Sequence, residues 1–135
     1  INQRLKSIEI RKELTDEWDN RGVKKGQEYA ILTDEITKAW SGFTTKQYKN
    51  FKDLKKENLR DHMTNIELVL NMLAEASTTE ISKKTEPKTF TENKVVAQKG
   101  GNVAKAARLQ LQKSTGKNVV TRLNAKNIDN KGLKE

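Results

Sequence analysis

Residues 64–76 read TNIELVLNMLAEA and contain the strongest local structural signal in the chain. Thr64 and Glu67 have the spacing of a capping box, in which each side chain accepts the backbone N–H of the other residue and so opens a helix. The apolar stripe that follows comprises Ile66, Val69, Leu70, Met72, Leu73 and Ala76. Leu68 widens this stripe, and a helix apolar on most of its circumference is typical of a bundle centre or an oligomer interface. Pro87 should end the helix.

Two more helices are predicted before this segment, and a short third one leads into it. Apolar residues recur every three or four positions over residues 2–20 and again over about 27–40. Gly22 and Gly42 stand where these two helices would end. The threonine pair at 44–45 can cap the short helix that follows.

The composition fits an all-α fold. Hydrophobic residues make up 33% of the chain, charged residues 33% and aromatic residues 5%, and Pro occurs once, which suits amphipathic helices better than a β-sandwich. Trp18 and Trp40 are the largest apolar side chains, so we expect each to anchor a helix contact in the core. We therefore predict an all-α helical bundle of about five to six helices with a basic, partly flexible C-terminal segment.

The chain beyond residue 86 is predicted to contain shorter elements. Thr91 would begin a short helix, Gly100-Gly101 would break it, and Asn102 would cap another helix that ends at Gly116. The predicted organisation is a helical core module over residues 1–86, a short basic helical hairpin packed on the core over 87–116, and a flexible basic tail over 117–135.

The net charge of +9 is confined to the C-terminal part of the chain. Residues 1–80 contain 14 Lys/Arg and 14 Asp/Glu, whereas residues 81–135 contain 13 Lys/Arg and four Asp/Glu. A basic segment joined to a neutral one indicates a polyanion partner, most often nucleic acid, and a solvated tail explains the charge equally well. Such cations neutralise backbone phosphates without reading sequence. The candidate nucleic-acid contacts are Lys99, Lys105, Arg108, Lys113, Lys117, Arg122 and Lys126.

Further lysines surround the short third helix. Five lysines between residues 46 and 56 are interleaved with Tyr48 and Phe51, and aromatic rings between lysines can stack on bases. The two rings also have the spacing of a helical core, with the lysines on a solvated face, and we favour that interpretation.

No constellation of residues indicates catalysis or a metal site. His62 is the only histidine and cysteine is absent, which excludes the usual zinc sites and thiolate chemistry. The acidic residues are scattered, and Gly100-Gly101 lacks the spacing of a phosphate-binding loop. We predict that the chain is not an enzyme and takes no cofactor or metal. It has no apolar run of about 18 residues and no signal-peptide core, so we expect a cytoplasmic location without membrane contact.

A resemblance to a known family is carried by residues 51–63, which read FKDLKKENLRDHM, and by residues 64–78. They resemble the C-terminal half of DNA-damage-inducible protein D, and are even more similar to that half in bacterial and prophage proteins of the antirepressor-like BRO family. The resemblance implies a helical C-terminal module whose N-terminal BRO-N domain, associated with DNA binding, precedes Ile1. It also implies phage antirepression, or restraint of the recombinase that coats single-stranded DNA, and it supplies no catalytic motif.

Two functions fit these observations. The first is a non-catalytic regulatory module that contacts DNA non-specifically through its charge, or an acidic protein partner, with a homo-oligomer through residues 64–81 as an open alternative. The second is a protein-interaction module that binds a repressor or recombinase without touching nucleic acid. An enzyme would require a polar pocket around Asp61 and His62, which the sequence does not indicate.

Overall fold

The computed structural model of the chain describes residues 2–124, and every regular element in that range is helical. The elements are α1 (Asn2–Asn20), α2 (Gln27–Ser41), α3 (Thr45–Phe51), a short 3-10 helix (Leu59–His62), α4 (Asn65–Thr85) and α5 (Phe90–Thr115). Five α-helices and one 3-10 helix confirm the predicted all-α bundle. α4 packs against α1, α2 and α5, so it takes the bundle centre, the first of the two positions that its sequence indicated.

Capping boxes determine where three of the helices begin. In α4 the predicted box is present: the Thr64 hydroxyl accepts the N–H of Glu67, and the Glu67 carboxylate accepts the N–H of Thr64. α3 begins with the same arrangement. The cap of α5 is Thr89 and not Thr91, because Glu92 stands three residues after Thr89 and completes the box.

The core is built around the two tryptophans, as predicted. Trp18 of α1 and Trp40 of α2 are both buried, and Trp40 Nε1 donates a 3.2 Å hydrogen bond to the side-chain oxygen of Asn71 on α4. Tyr48 of α3 is also buried, with its ring centroid 6.1 Å from that of Trp40. The burial of Tyr48 makes it a core residue and removes it from any base-stacking surface.

The face that α4 turns inward is mostly polar. Its buried residues are Glu67, Leu70, Asn71, Ala74, Glu75, Thr78, Thr79 and Ser82. By contrast, Ile66, Val69 and Leu73 of the predicted apolar stripe remain 39%, 40% and 37% exposed. The central position of α4 is confirmed, but of the predicted stripe only Leu70 belongs to the buried face. Cationic side chains from other elements pair with its buried carboxylates, and this pairing makes a polar interior possible.

Gly100 and Gly101 do not break α5. It is one continuous helix of 26 residues, so the predicted hairpin over 87–116 is wrong. A Cβ atom at position 100 would lie 2.7 Å from the backbone of Thr78 on α4, and one at position 101 would lie 2.7 Å from the carbonyl oxygen of Ile36 on α2. The missing side chains let α5 enter the groove between α2 and α4, and this packing offsets the low helix propensity of glycine.

The chain turns back onto the bundle after α5. Gly116 ends the helix in the left-handed conformation, as predicted. Val119 and Asn124 are buried, and the Asn124 side-chain amide donates a 2.8 Å hydrogen bond to the carbonyl oxygen of Lys52. The flexible tail predicted from residue 117 therefore starts too early, because the chain returns to the core between Val119 and Asn124. Residues 125–135 of that predicted tail lie outside the described residues.

Candidate nucleic-acid interface

The solvent side of α5 presents four of the predicted contacts. Lys99, Lys105 and Lys113 on α5 and Lys117 just after it are exposed, and within residues 2–124 none of them has a carboxylate at ion-pair distance. Lys99 and Lys113 lie on the same side of the helix, about 21 Å apart along its axis. Lys105 lines a cavity between α5 and α2 that Glu35 also borders. The lysines therefore cover the outer half of α5 and do not form one narrow stripe.

Arg108 is engaged inside the fold. Its Nε donates a 2.7 Å hydrogen bond to the carbonyl oxygen of Trp40, and its Nη1 donates a 3.2 Å bond to the side chain of Gln112. The Trp40 carbonyl belongs to the last turn of α2, where a cation satisfies an unpaired acceptor and interacts favourably with the helix dipole. Arg108 is half-buried and joins α5 to the end of α2.

Arg122 lies against the third helix. Its guanidinium is 4.7 Å from the ring centroid of Phe51, in cation–π geometry, and the side chain is exposed. Phe51 is half-buried, with its ring 5.0 Å from that of Phe43. Lys126, the last predicted contact, lies outside the described residues.

A closed ion cluster lies between α3, α4 and the chain after α5. Lys52 and Glu67 are both fully buried, and Lys52 Nζ is 2.7 Å from Glu67 Oε1. The Tyr48 hydroxyl donates to Glu67 Oε2, and Lys52 Nζ also donates to the carbonyl oxygen of Leu123. Both oxygens of the carboxylate are thus hydrogen-bonded, and the cluster holds residues 119–124 in place.

Burial determines the protonation states in this cluster. It raises the pKa of Tyr48 far above that of free tyrosine, and the negative charge of Glu67 raises it further, so the phenol stays protonated and donates. Burial also lowers the pKa of Lys52, whereas the hydrogen bond and charge of Glu67 oppose this shift. The carboxylate therefore favours the charged form of a fully buried ammonium group.

A second buried carboxylate, Glu75, binds two arginines. Its Oε2 accepts from Arg11 Nη1 at 3.1 Å and from Arg60 Nη2, while its Oε1 has no hydrogen-bond partner in the described part of the chain. Arg11 also donates to Thr33 Oγ1 at 2.8 Å, and Arg60 to Ser7 Oγ at 2.9 Å. Burial lowers the pKa of Arg11 and the Glu75 charge opposes that shift. One carboxylate against two guanidinium groups leaves one positive charge in excess.

A basic cleft opens beside this second cluster. Two neighbouring cavities of about 380 Å³ and 490 Å³ share Thr33, Thr45 and Lys49 in their walls, and together they make up the basic cleft between α2, α3 and residues 55–63. The cations that line it are Arg11, Lys46, Lys49, Lys55, Lys56 and Arg60. The lysines and Arg60 lie close together in the sequence, but Arg11 joins them only through long-range contacts, so no local pattern indicates the complete site.

A family model for the DinD C-terminal domain matches residues 1–129. The chain belongs to the DinD C-terminal domain family. No curated protein and no solved structure was found to match it. The predicted relation to DNA-damage-inducible protein D is confirmed, whereas the likeness to the BRO family rests on the sequence motifs alone.

Membership of the DinD C-terminal domain family relates the chain to the DNA-damage response. The match spans all five α-helices, and so includes both buried clusters and the basic cleft. Over residues 2–124 of this DinD domain, no three His, Cys, Asp or Glu side chains gather so that they could hold a metal ion. No helix in the same range is long and apolar enough to cross a membrane.

Proposed function

We propose that this DinD C-terminal domain is a non-catalytic regulatory module that contacts DNA electrostatically through the exposed lysines of α5. The observation that carries the proposal is the charge of this region: residues 81–124 contain ten Lys/Arg, and their only acidic residues are Glu86 and Glu92. An array of exposed cations binds phosphates by releasing the counterions condensed on DNA, whatever the base sequence.

The packing of α5 supports this proposal. Its backbone lies directly against α2 and α4 at Gly100 and Gly101, so the helix is a rigid support for long, adaptable lysine side chains. No aromatic residue follows Phe90 along the chain, which argues against base stacking. Phosphate contacts without base contacts position a protein on DNA but do not specify a sequence.

Salt dependence tests the proposal. In fluorescence-anisotropy titrations with a labelled duplex, the logarithm of the affinity should fall linearly with the logarithm of the salt concentration. The variant Lys105→Gln/Lys113→Gln should lower that slope by about 2 and weaken binding to unrelated sequences alike. The control Lys24→Gln/Lys25→Gln, in the exposed turn between α1 and α2, should behave as the unmodified chain. Absence of binding, or binding that ignores salt, would remove the DNA contact from the proposal.

A protein-interaction module is the second candidate, and the exposed apolar row of Ile66, Val69 and Leu73 on α4 favours it. Contiguous exposed apolar residues mark protein contacts. The row would bind a second copy of the chain, or a repressor or recombinase, without any nucleic acid. Light scattering after size-exclusion chromatography tests the first partner: a dimer mass that Leu73→Asn abolishes supports it, and a monomer at every concentration excludes it.

The remaining parts of the proposal extend the family relation. A BRO-N domain before Ile1 would supply specific DNA recognition, α5 would add non-specific affinity or bind an acidic protein partner, and the whole would act in the cytoplasm in antirepression or the damage response. No cofactor or metal is part of the proposal. The coding sequence upstream of Ile1 tests this arrangement, because a different domain there would remove it.

A further inference from the structure

The basic cleft lies on the side of α2 that faces away from α5. Thr33 and Thr37 of α2 border the cleft, whereas Glu35 and Ala39 lie toward α5. Residues two apart on a helix are rotated by about 200° around its axis, so the two basic surfaces point in different directions. The cleft is therefore a site of its own, and it does not depend on the role proposed for α5.

We infer that the basic cleft binds phosphate groups. Its four lysines have no ion-pair partner in the described part of the chain. The acidic groups beside them accept backbone bonds: Asp34 accepts the N–H of Thr45 at 3.0 Å, and Glu57 accepts the N–H groups of Lys55 and Lys56 at 2.9 and 3.0 Å. Ammonium groups gathered around a cavity repel each other, and an entering anion relieves that repulsion.

The floor of the cleft adds positive charge in a fixed position. Arg11 and Arg60 are held by Glu75, and each has a further hydrogen bond that orients it, to Thr33 and Ser7 respectively. Two guanidinium groups share one carboxylate, so their excess charge faces the cleft from partly buried positions where salt screens it weakly. Cations that are already oriented bind an anion without a further ordering cost.

Neutral groups in the wall provide hydrogen-bond donors. Asn58 and Asn71 border the cavity. The side-chain oxygen of Asn58 accepts the backbone N–H of Arg60 at 2.9 Å, and that of Asn71 accepts Trp40 Nε1–H at 3.2 Å. With the oxygens engaged, the NH₂ group of each amide is available to a ligand. Thr45, which carries a hydroxyl group, lines both cavities as well. Phosphate oxygens accept from all of these group types.

The same wall offers little to a protein partner. Protein interfaces depend on aromatic or other large side chains that enter well-packed apolar pockets. In this cleft the apolar side chains are Leu59, Met63 and Ala30, and Leu59 is buried. The composition therefore favours phosphate over an acidic peptide. Each of the two cavities has a volume typical of small-ligand sites, and a nucleotide and a nucleic-acid strand share this phosphate chemistry.

NMR titration of the full 135-residue chain tests the inference. The ¹⁵N-labelled chain is titrated separately with inorganic pyrophosphate, ATP and a single-stranded oligothymidylate. We expect amide shifts at Thr45, Lys49 and Asn58, and about tenfold weaker binding of the probe by Lys49→Gln/Lys56→Gln. Neither lysine side chain forms an ion pair among the described residues, so this variant should fold. The control Lys24→Gln/Lys25→Gln should bind as the unmodified chain does.

The possible results separate the ligand sources and the two basic surfaces. Tightest binding of the oligothymidylate supports the inference with a strand as ligand, and tightest binding of ATP supports it with a free nucleotide. No cleft shifts with any of the three probes overturns it, as does binding of polyglutamate alone. Loss of the cleft shifts in Lys105→Gln/Lys113→Gln also overturns it, because the cleft would then not be separate from α5.

Discussion

Glu67 and Glu75 lie eight residues apart on α4 and are both buried, but their surroundings differ. Glu67 meets one cation, fully buried Lys52, and both of its oxygens are hydrogen-bonded. Glu75 meets two arginines that are 27% and 24% exposed, and one of its oxygens has no partner in the described part of the chain. A buried carboxylate can therefore close an interface, as Glu67 does, or hold cations at the edge of a cleft, as Glu75 does.

The largest expected effect comes from breaking the closed cluster. Glu67→Ala leaves the Lys52 ammonium group buried without a counter-charge and should lower the free energy of unfolding by about 3–5 kcal/mol in urea titrations. The double variant Lys52→Met/Glu67→Leu should recover most of this loss, because apolar side chains replace both charges. A loss below about 1 kcal/mol for the single variant would show that the cluster contributes little.

Removing the charge of Glu75, which binds Arg11 and Arg60, should lower stability less. Glu75→Gln leaves two arginines that water can still reach, so the free energy of unfolding should be about 2 kcal/mol lower than in the unmodified chain. The affinity of the Glu75→Gln variant for pyrophosphate should rise, because the cleft gains one net positive charge. Gly100→Ala is the matched control: overpacking against Thr78 should lower stability by about 1–3 kcal/mol without changing this affinity. An unchanged affinity of Glu75→Gln for pyrophosphate would show that the charge of Arg11 and Arg60 does not act on a ligand in the cleft.

Tyr48→Phe removes only one hydrogen bond from the closed cluster and leaves the ion pair of Lys52 and Glu67 in place. The loss of the hydroxyl donor to Glu67 should lower the free energy of unfolding by about 1–2 kcal/mol. Because the pKa of Tyr48 is raised in the folded chain, its contribution is fully present below the unfolded pKa of about 10 and is lost as the pH rises above it. Urea titrations at pH 8 and above pH 10 measure this, and the Phe variant should lose less stability between them than the unmodified chain.

The smallest effect is expected at Glu92, an exposed carboxylate that contrasts with both buried ones. Hydrogen bonds from the backbone N–H groups of Lys88 and Thr89 lower its pKa. Its contribution should be present above its ordinary pKa and be lost as the pH falls through the lowered one. The unfolding temperatures of the unmodified chain and of Glu92→Gln, measured from pH 7 to pH 3, should converge at the acidic end of this range. A constant difference between them would count against this charge effect.

Local chemistry was sufficient to predict the first four α-helices and the end of the fifth. The capping box at Thr64, the left-handed glycines after the first, second and last α-helices, and the Pro87 stop are all present, because each depends on residues within one turn. The burial of Trp18 and Trp40 was also predictable, since no other part of so polar a chain offers as much apolar area. The all-α class and the uneven charge follow from composition alone.

The tertiary structure decided the features that depend on distant partners. Gly100-Gly101 has the pattern of a break, and only the groove between α2 and α4 makes it a close contact inside a continuous helix. The polar inward face of α4 depends on arginines up to 64 residues away, and so does the basic cleft. A sequence records the propensity of each segment, but which polar groups are buried depends on whether the fold brings them a partner, because an unpaired buried charge costs more than local propensity can supply.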